Sequence, residues 1–156
     1  MPNRVLDLRS LQGELEAVRA RGGRIVLTNG IFDILHVGHL RYLRQARAEG
    51  DVLVVGVNAD RAVHKPGRPL VPDVERAELV AALEPVDYTT IFAEDTADAL
   101  LGAVKPDVYV KGADYTPATL PEAATAQAVG ARLVFIPLVP EHSSTRLLEA
   151  LRAQHR

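Results

Sequence analysis

Two histidines, His36 and His39, stand three residues apart with Gly38 between them. They close the run Thr28-Asn29-Gly30-Ile31-Phe32-Asp33-Ile34-Leu35-His36-Val37-Gly38-His39. The run leaves an apolar segment, residues 24–28, that reads as a buried strand. It enters residues 40–49, which read as an amphipathic helix. A strand-to-helix turn offers unpaired backbone N–H groups and the positive end of a helix dipole, both suited to phosphate. Two imidazoles add donors aimed at the same anion. Gly30 and Gly38 have no Cβ, so a phosphate chain can lie close to the backbone. Phe32 supplies an apolar ring, and Asp33 shares the turn. Two other chemistries fit the same pair: partly buried core histidines, or two ligands of a metal. Zinc ligands on one helix usually stand four apart around a glutamate, and closed sites need cysteine or further histidine. The chain has no cysteine, and His64, His142 and His155 have no motif spacing.

Two more groups could hold phosphate. Lys111-Gly112-Ala113-Asp114-Tyr115 follows a predicted strand at residues 107–110, so its lysine falls at a strand end; an ordinary polar loop has the same composition. Ser143-Ser144-Thr145 precedes the last predicted helix, where it serves as an N-cap, a phosphate cradle or both. The remaining cations are Lys65, Arg68 and Arg76, residue types that are most often solvated surface.

The elements that must position these residues alternate. Residues 6–21 read as an amphipathic helix stopped by Gly22-Gly23. Residues 52–57 form a nearly continuous β-branched run, as in a strand buried on both faces. Residues 58–73, rich in charge, Pro and Gly, read as a long surface loop of the kind that often carries function. Helices are predicted at 74–83, 96–104, 121–129 and 144–153, and strands at 88–92, 107–110 and 132–137. This pattern predicts a single Rossmann-like α/β domain over residues 1–156. Its open parallel sheet has about five strands with helices on both faces, and residues 1–23 add an N-terminal helix packed on it. In such sheets ligands bind beyond the carboxyl ends of the strands, where strand order reverses. The histidine motif lies at such an end.

With 156 residues the chain has room for one domain with a substantial core, and 47% hydrophobic residues mark it as globular. A net charge of −2, scattered arginines and 4% aromatics offer no nucleic-acid surface and no attraction to an anionic membrane. Without cysteine there is no disulfide scaffold or thiol nucleophile. Residues 1–12 lack the apolar stretch of a signal peptide, and no apolar run is long enough for a membrane span. The expectation is a soluble cytoplasmic protein.

The pattern G-x-F-D-x-x-H-x-G-H, met at Gly30, Phe32, Asp33, His36, Gly38 and His39, resembles the signature of the cytidylyltransferase-like nucleotidyltransferases. The resemblance runs from about residue 24 to 151 through Glu75-Arg76, Lys111-Gly112-Ala113-Asp114-Tyr115 and Ser143-Ser144-Thr145. Within the family, Thr28-Asn29-Gly30, Pro66-Gly67-Arg68-Pro69-Leu70 and Glu94-Asp95-Thr96 are similar to the heptose 1-phosphate adenylyltransferases. The resemblance implies transfer of a nucleotidyl group from ATP, or CTP, to a sugar phosphate with loss of pyrophosphate. His36, His39 and Lys111 would be catalytic. Asn29, Gly30, Ile31, Phe32, Asp33, Gly38, Arg76, Gly112, Asp114, Ser143, Ser144 and Thr145 would bind nucleotide. Lys65 or Arg68, on a cationic loop able to close like a lid, would clamp the acceptor. A magnesium ion would bridge the phosphates, with most of its ligands from water and nucleotide. In the family the Ser/Thr cluster replaces the lysine loop of class I tRNA synthetases, which share the paired histidines. Relatives that use CTP and glycerol 3-phosphate carry an Arg-Thr pair ahead of that cluster, where this sequence has Leu138-Val139-Pro140, and Trp rather than Tyr after Asp114. Both differences favour ATP. A non-catalytic nucleotide-binding module is a further alternative, against which the retained histidines count. A homodimer is a possible assembly, and since no sugar kinase domain is present here, the resemblance implies a separate kinase.

Overall fold

The computed structural model describes residues 4–137 and 144–154. Six parallel strands form one sheet: β1 (Arg4–Val5), β2 (Ile25–Gly30), β3 (Val52–Asn58), β4 (Tyr88–Phe92), β5 (Val108–Gly112) and β6 (Arg132–Ile136). Their order is β1-β4-β3-β2-β5-β6. The helices are α1 (Leu8–Ala20), α2 (Val37–Arg47), α3 (Asp73–Ala81), α4 (Asp98–Val104), α5 (Ala123–Ala128) and α6 (Ser144–Gln154). No helix among the described residues is long and apolar enough to cross a membrane.

Both faces of the sheet are covered. Ile25, Leu27, Val52 and Val54 pack with Leu11, Leu15 and Val18 of α1 and with Leu101 and Val104 of α4. The alternate residues Val26, Leu53, Val55 and Val57 pack with Leu43 and Ala46 of α2 and with Ala77 and Val80 of α3. A strand buried on both faces must be apolar at every position, which explains the unbroken run in β3. The sixth strand is β1, two residues paired in parallel with Tyr88 and Thr89 of β4. Two residues are too short for any alternation to show in the sequence.

Several boundaries differ from the expectation in ways that matter. β2 runs on through Asn29 and Gly30, and β5 through Lys111 and Gly112. These residues therefore stand on strands rather than in the loops that follow. α2 starts at Val37, three residues early, so His36 is its N-cap and His39 lies in its first turn.

The chain steps outward from β2 to β3 to β4, then returns across β2 to β5, so strand order reverses between β2 and β5. There the backbone ladder joins only Val26 to Val108 and Leu27 to Tyr109. Beyond those pairs the strands are bridged by side chains. The Thr28 hydroxyl donates to the Val110 carbonyl at 2.8 Å and lies 2.8 Å from the Tyr42 hydroxyl, which reaches the same carbonyl at 3.2 Å. The reversal thus opens a crevice at the carboxyl ends of β2 and β5.

Candidate active site

The crevice is a cavity of about 350 Å³. Asn29, Gly30, Ile31, Phe32, His36, Gly38 and His39 line one side, and Lys111, Gly112, Asp114 and Tyr115 line the other. Of the residues the sequence singled out, these eleven are brought together.

The histidine turn is self-capped. Gly38 N–H donates to His36 Nδ1 at 3.1 Å, and His36 N–H donates to His39 Nδ1 at 3.3 Å. A ring nitrogen that accepts cannot carry the proton, so the neutral form of each imidazole holds it on Nε2. The rings lie 4.0 Å apart between centroids, and Phe32 packs 5.5 Å from His39. Burial, reinforced by the charge His36 would carry, lowers the His39 pKa to about 4. His39 is therefore a neutral donor at physiological pH. The cap also corrects one expectation. Gly38 N–H is spent inside the turn, and His39 N–H is bonded to the His36 carbonyl at 3.0 Å. What this helix end can offer an anion is imidazole N–H groups rather than these two backbone amides.

Phe32 has a left-handed backbone, φ 52°, which costs energy in a bulky residue and marks a turn held by its surroundings. A Cβ on Gly30 would stand 3.0 Å from the Phe32 ring. Glycine at 30 and phenylalanine at 32 are thus one packing unit. Asp33 turns away from the cavity. Its side chain is fully buried and accepts from Leu70 N–H and Val71 N–H, each at 2.9 Å, and from Arg68 Nε. Burial opposes its charge, but the Val71 and Leu70 amides and Arg68 outweigh it and hold the carboxyl below its ordinary range.

Arg76 is likewise absent from the cavity wall. It is fully buried, and its guanidinium donates to the carbonyls of Val71 (2.8 Å), Ile31 (2.7 Å) and Asn58 (2.8 Å) and to Asp60 Oδ1 (2.7 Å). Asp33 and Arg76 thus fasten residues 70–71 to the motif turn. The loop expected to close like a lid is tied down at both ends, since Asp60 N–H donates to Asp73 Oδ2 at 2.9 Å. Lys65 is exposed on it, and Arg68 turns inward with 12% of its side chain accessible. Neither lines the cavity.

Lys111 Nζ donates to the Asn29 carbonyl at 3.2 Å and lies 5.6 Å from the centre of the Tyr115 ring. Burial lowers its pKa, against the pull of Glu122 and Asp114. Arg41, Tyr42 and Gln45 of α2 also line the cavity, with Ile136 and Pro137 at the end of β6. Spacing from Gly38 and His39 along the helix would have found these three. Ser143 lies outside the described residues, as do Leu138-Val139-Pro140, whereas Ser144 and Thr145 open α6.

Among the described residues no cluster of three or more His, Asp or Glu could hold a metal, and Asp114 is the one carboxylate on the cavity wall. A magnesium ion takes oxygen ligands, and the Asp114 carboxylate offers one.

A doubly wound parallel sheet with a histidine- and lysine-lined crevice at its switch point is the architecture in which open α/β proteins place their ligands. The cytidylyltransferase-like family model matches residues 27–150, and the chain belongs to that family of nucleotidyltransferases. It is 44% identical over 145 residues to "Bifunctional protein HldE" of Syntrophotalea carbinolica, covering 91% of this chain and 30% of that protein. The chain thus spans about 30% of the length of the curated relatives it matches. A solved lipopolysaccharide core biosynthesis protein from Thermoplasma volcanium superposes with a TM-score of 0.64 at 30% identity, over 76% of this chain and 98% of that one. Pantothenate synthetase from Thermus thermophilus shares the fold, with a TM-score of 0.65 at 18% identity over 93% of this chain and 67% of that one.

Proposed function

We propose that this chain transfers the adenylyl group of ATP to a heptose 1-phosphate, forming ADP-heptose and pyrophosphate. The observation that carries the reaction type is the crevice itself, where two tautomer-fixed imidazoles face a half-buried lysine across the switch point. A phosphate oxygen of the acceptor attacks the α-phosphorus in line. The bond from that phosphorus to the bridging oxygen breaks, and pyrophosphate leaves with the electron pair. Direct in-line transfer needs no covalent intermediate on the protein, so catalysis is positioning and charge stabilisation. His36 and His39 donate from Nε2 to α- and β-phosphate oxygens. Lys111 and the start of α6, with Ser143, Ser144 and Thr145, hold the departing pyrophosphate. Magnesium, entering with the triphosphate beside Asp114, would neutralise phosphate charge. Lys65, exposed on the loop between its tied ends, clamps the sugar phosphate, with the inward-turned Arg68 as its alternative.

The choice of acceptor rests on the HldE relatives and on the Thr28-Asn29-Gly30 and Lys111–Tyr115 segments. Pyrophosphate release, measured for ATP and CTP crossed with heptose 1-phosphate and glycerol 3-phosphate, tests it. Turnover highest with ATP and heptose 1-phosphate is the expected result. A preference for CTP with glycerol 3-phosphate would replace this reading by a cytidylyl transfer, and no turnover with any pair would make the chain a binding module.

A further inference from the structure

Tyr109 carries no motif and lies beneath the crevice rather than on its wall. It is fully buried in the cluster shared with α1, α4 and α5. Its residue is the last on β5 to pair with β2, opposite Leu27. One pair further on the strands have parted, and there the Tyr109 hydroxyl donates to Asn29 Oδ1 at 2.5 Å. A carboxamide presents either an acceptor oxygen or a donor NH₂ to a ligand, and phosphate oxygens accept only. The Tyr109 hydroxyl hydrogen has no other acceptor among the described residues. If the Asn29 amide flipped, that buried hydrogen would lose its partner, which costs free energy. The phenol thus holds Oδ1 inward and turns the NH₂ group outward. Asn29 lines the cavity, and its Nδ2 is not among the buried side-chain atoms left without a partner in the described residues. The carbonyl of the same Asn29 receives Lys111 Nζ.

We infer that Tyr109 is a positioning residue: it fixes the Asn29 carboxamide so that its NH₂ donates to an oxygen of the nucleotide triphosphate beside Lys111. The inference rests on the nucleotidyl-transfer reading above. Without the phenol the amide rotates freely and sets an oxygen lone pair against a phosphate oxygen for part of the time. Desolvation, with nearby acidic groups adding to it, also raises the Tyr109 pKa, so the phenol stays a donor throughout the working pH range.

The test compares wild type with Y109F, N29D, N29A and N29A/Y109F. Calorimetry gives the affinity for ATP, which needs no acceptor, and pyrophosphate release gives kcat and both KM values. Y109F is expected to weaken ATP affinity or kcat/KM for ATP about three- to tenfold, with acceptor KM unchanged and the thermal midpoint lowered by no more than the few degrees that one lost hydrogen bond costs. N29D keeps the phenol's partner but replaces the donor by an acceptor, and should lose about ten- to a hundredfold. In the N29A background, Y109F should have no further effect, which a purely structural role would not produce. Wild-type ATP affinity and kinetics in Y109F, or losses that multiply in the double variant, overturn the inference. A wild type that binds ATP but turns over no acceptor overturns the function reading alone, because the Y109F affinity still decides the inference. A wild type that binds no nucleoside triphosphate overturns both.

Discussion

Replacing Arg76 by Met separates two roles that its position in the sequence cannot. The resemblance makes Arg76 a nucleotide ligand. In the structure it is a buried tie whose Nε, Nη1 and Nη2 are all engaged, to three carbonyls and one carboxylate. Met keeps most of the volume and removes every donor. Asp60 is 46% exposed, so water resolvates it. The carbonyls of Ile31, Asn58 and Val71 lose a charged donor from a fully buried side chain. Hydrogen bonds to charged groups contribute about 1.5–3 kcal/mol each, and breaking a buried charged cluster by removing one member costs about 3–5 kcal/mol in all. That is a large part of the roughly 5–15 kcal/mol that holds a domain folded. For a chain of this size it lowers the thermal midpoint by about 6–20 °C. Arg76→Lys should fall between, because an ammonium keeps the charge but cannot span four acceptors. The assay is denaturant unfolding followed by circular dichroism, with ATP affinity measured calorimetrically well below the midpoint. Affinity within about threefold of wild type is expected. An Arg76→Met protein of wild-type stability that has lost ATP affinity tenfold or more refutes the argument and restores Arg76 to the nucleotide.

Two other outcomes follow from the crevice. Lys111→Met removes an ammonium that burial disfavours, so its thermal midpoint should match or exceed wild type while ATP affinity falls at least tenfold; a clear loss of stability would show the ammonium to be well compensated. His39→Ala should lower kcat about 10²-fold, as for loss of one preorganised donor, and near-wild-type kcat in the folded variant removes His39 from the chemistry. The same residue sets a pH dependence: its folded pKa, about 4, lies below the ordinary 6.5, so between those values the unfolded chain takes up a proton that the folded chain refuses. Stability therefore falls as pH drops from about 6.5 to 4, measured as the denaturant midpoint, and His39→Ala should lose that part of the slope.

What the sequence determined was whatever depends on neighbours in the chain. The alternation of apolar runs and amphipathic segments implied a parallel α/β sheet, because a strand buried on both faces must be apolar throughout. The G-x-F-D-x-x-H-x-G-H spacing placed two imidazoles at a helix start, and their mutual capping is local as well, spanning three residues. Tertiary structure decided what each polar group faces. Asp33 lies inside the histidine motif and Arg76 in the separate Glu75-Arg76 segment, yet their partners lie up to 45 residues away for Arg76 and 38 for Asp33, and these contacts bury both. Nothing in the types or spacing of these two residues distinguishes a charge bound for a ligand from one bound for a loop. Tyr109 is the reverse case, an aromatic in a strand that reads as core. It reaches Asn29 across 80 residues of sequence because β5 returns to the side of β2 and parts from it one pair too soon. The crevice, its donors and the ties beneath it all come from that return, which no local pattern encodes.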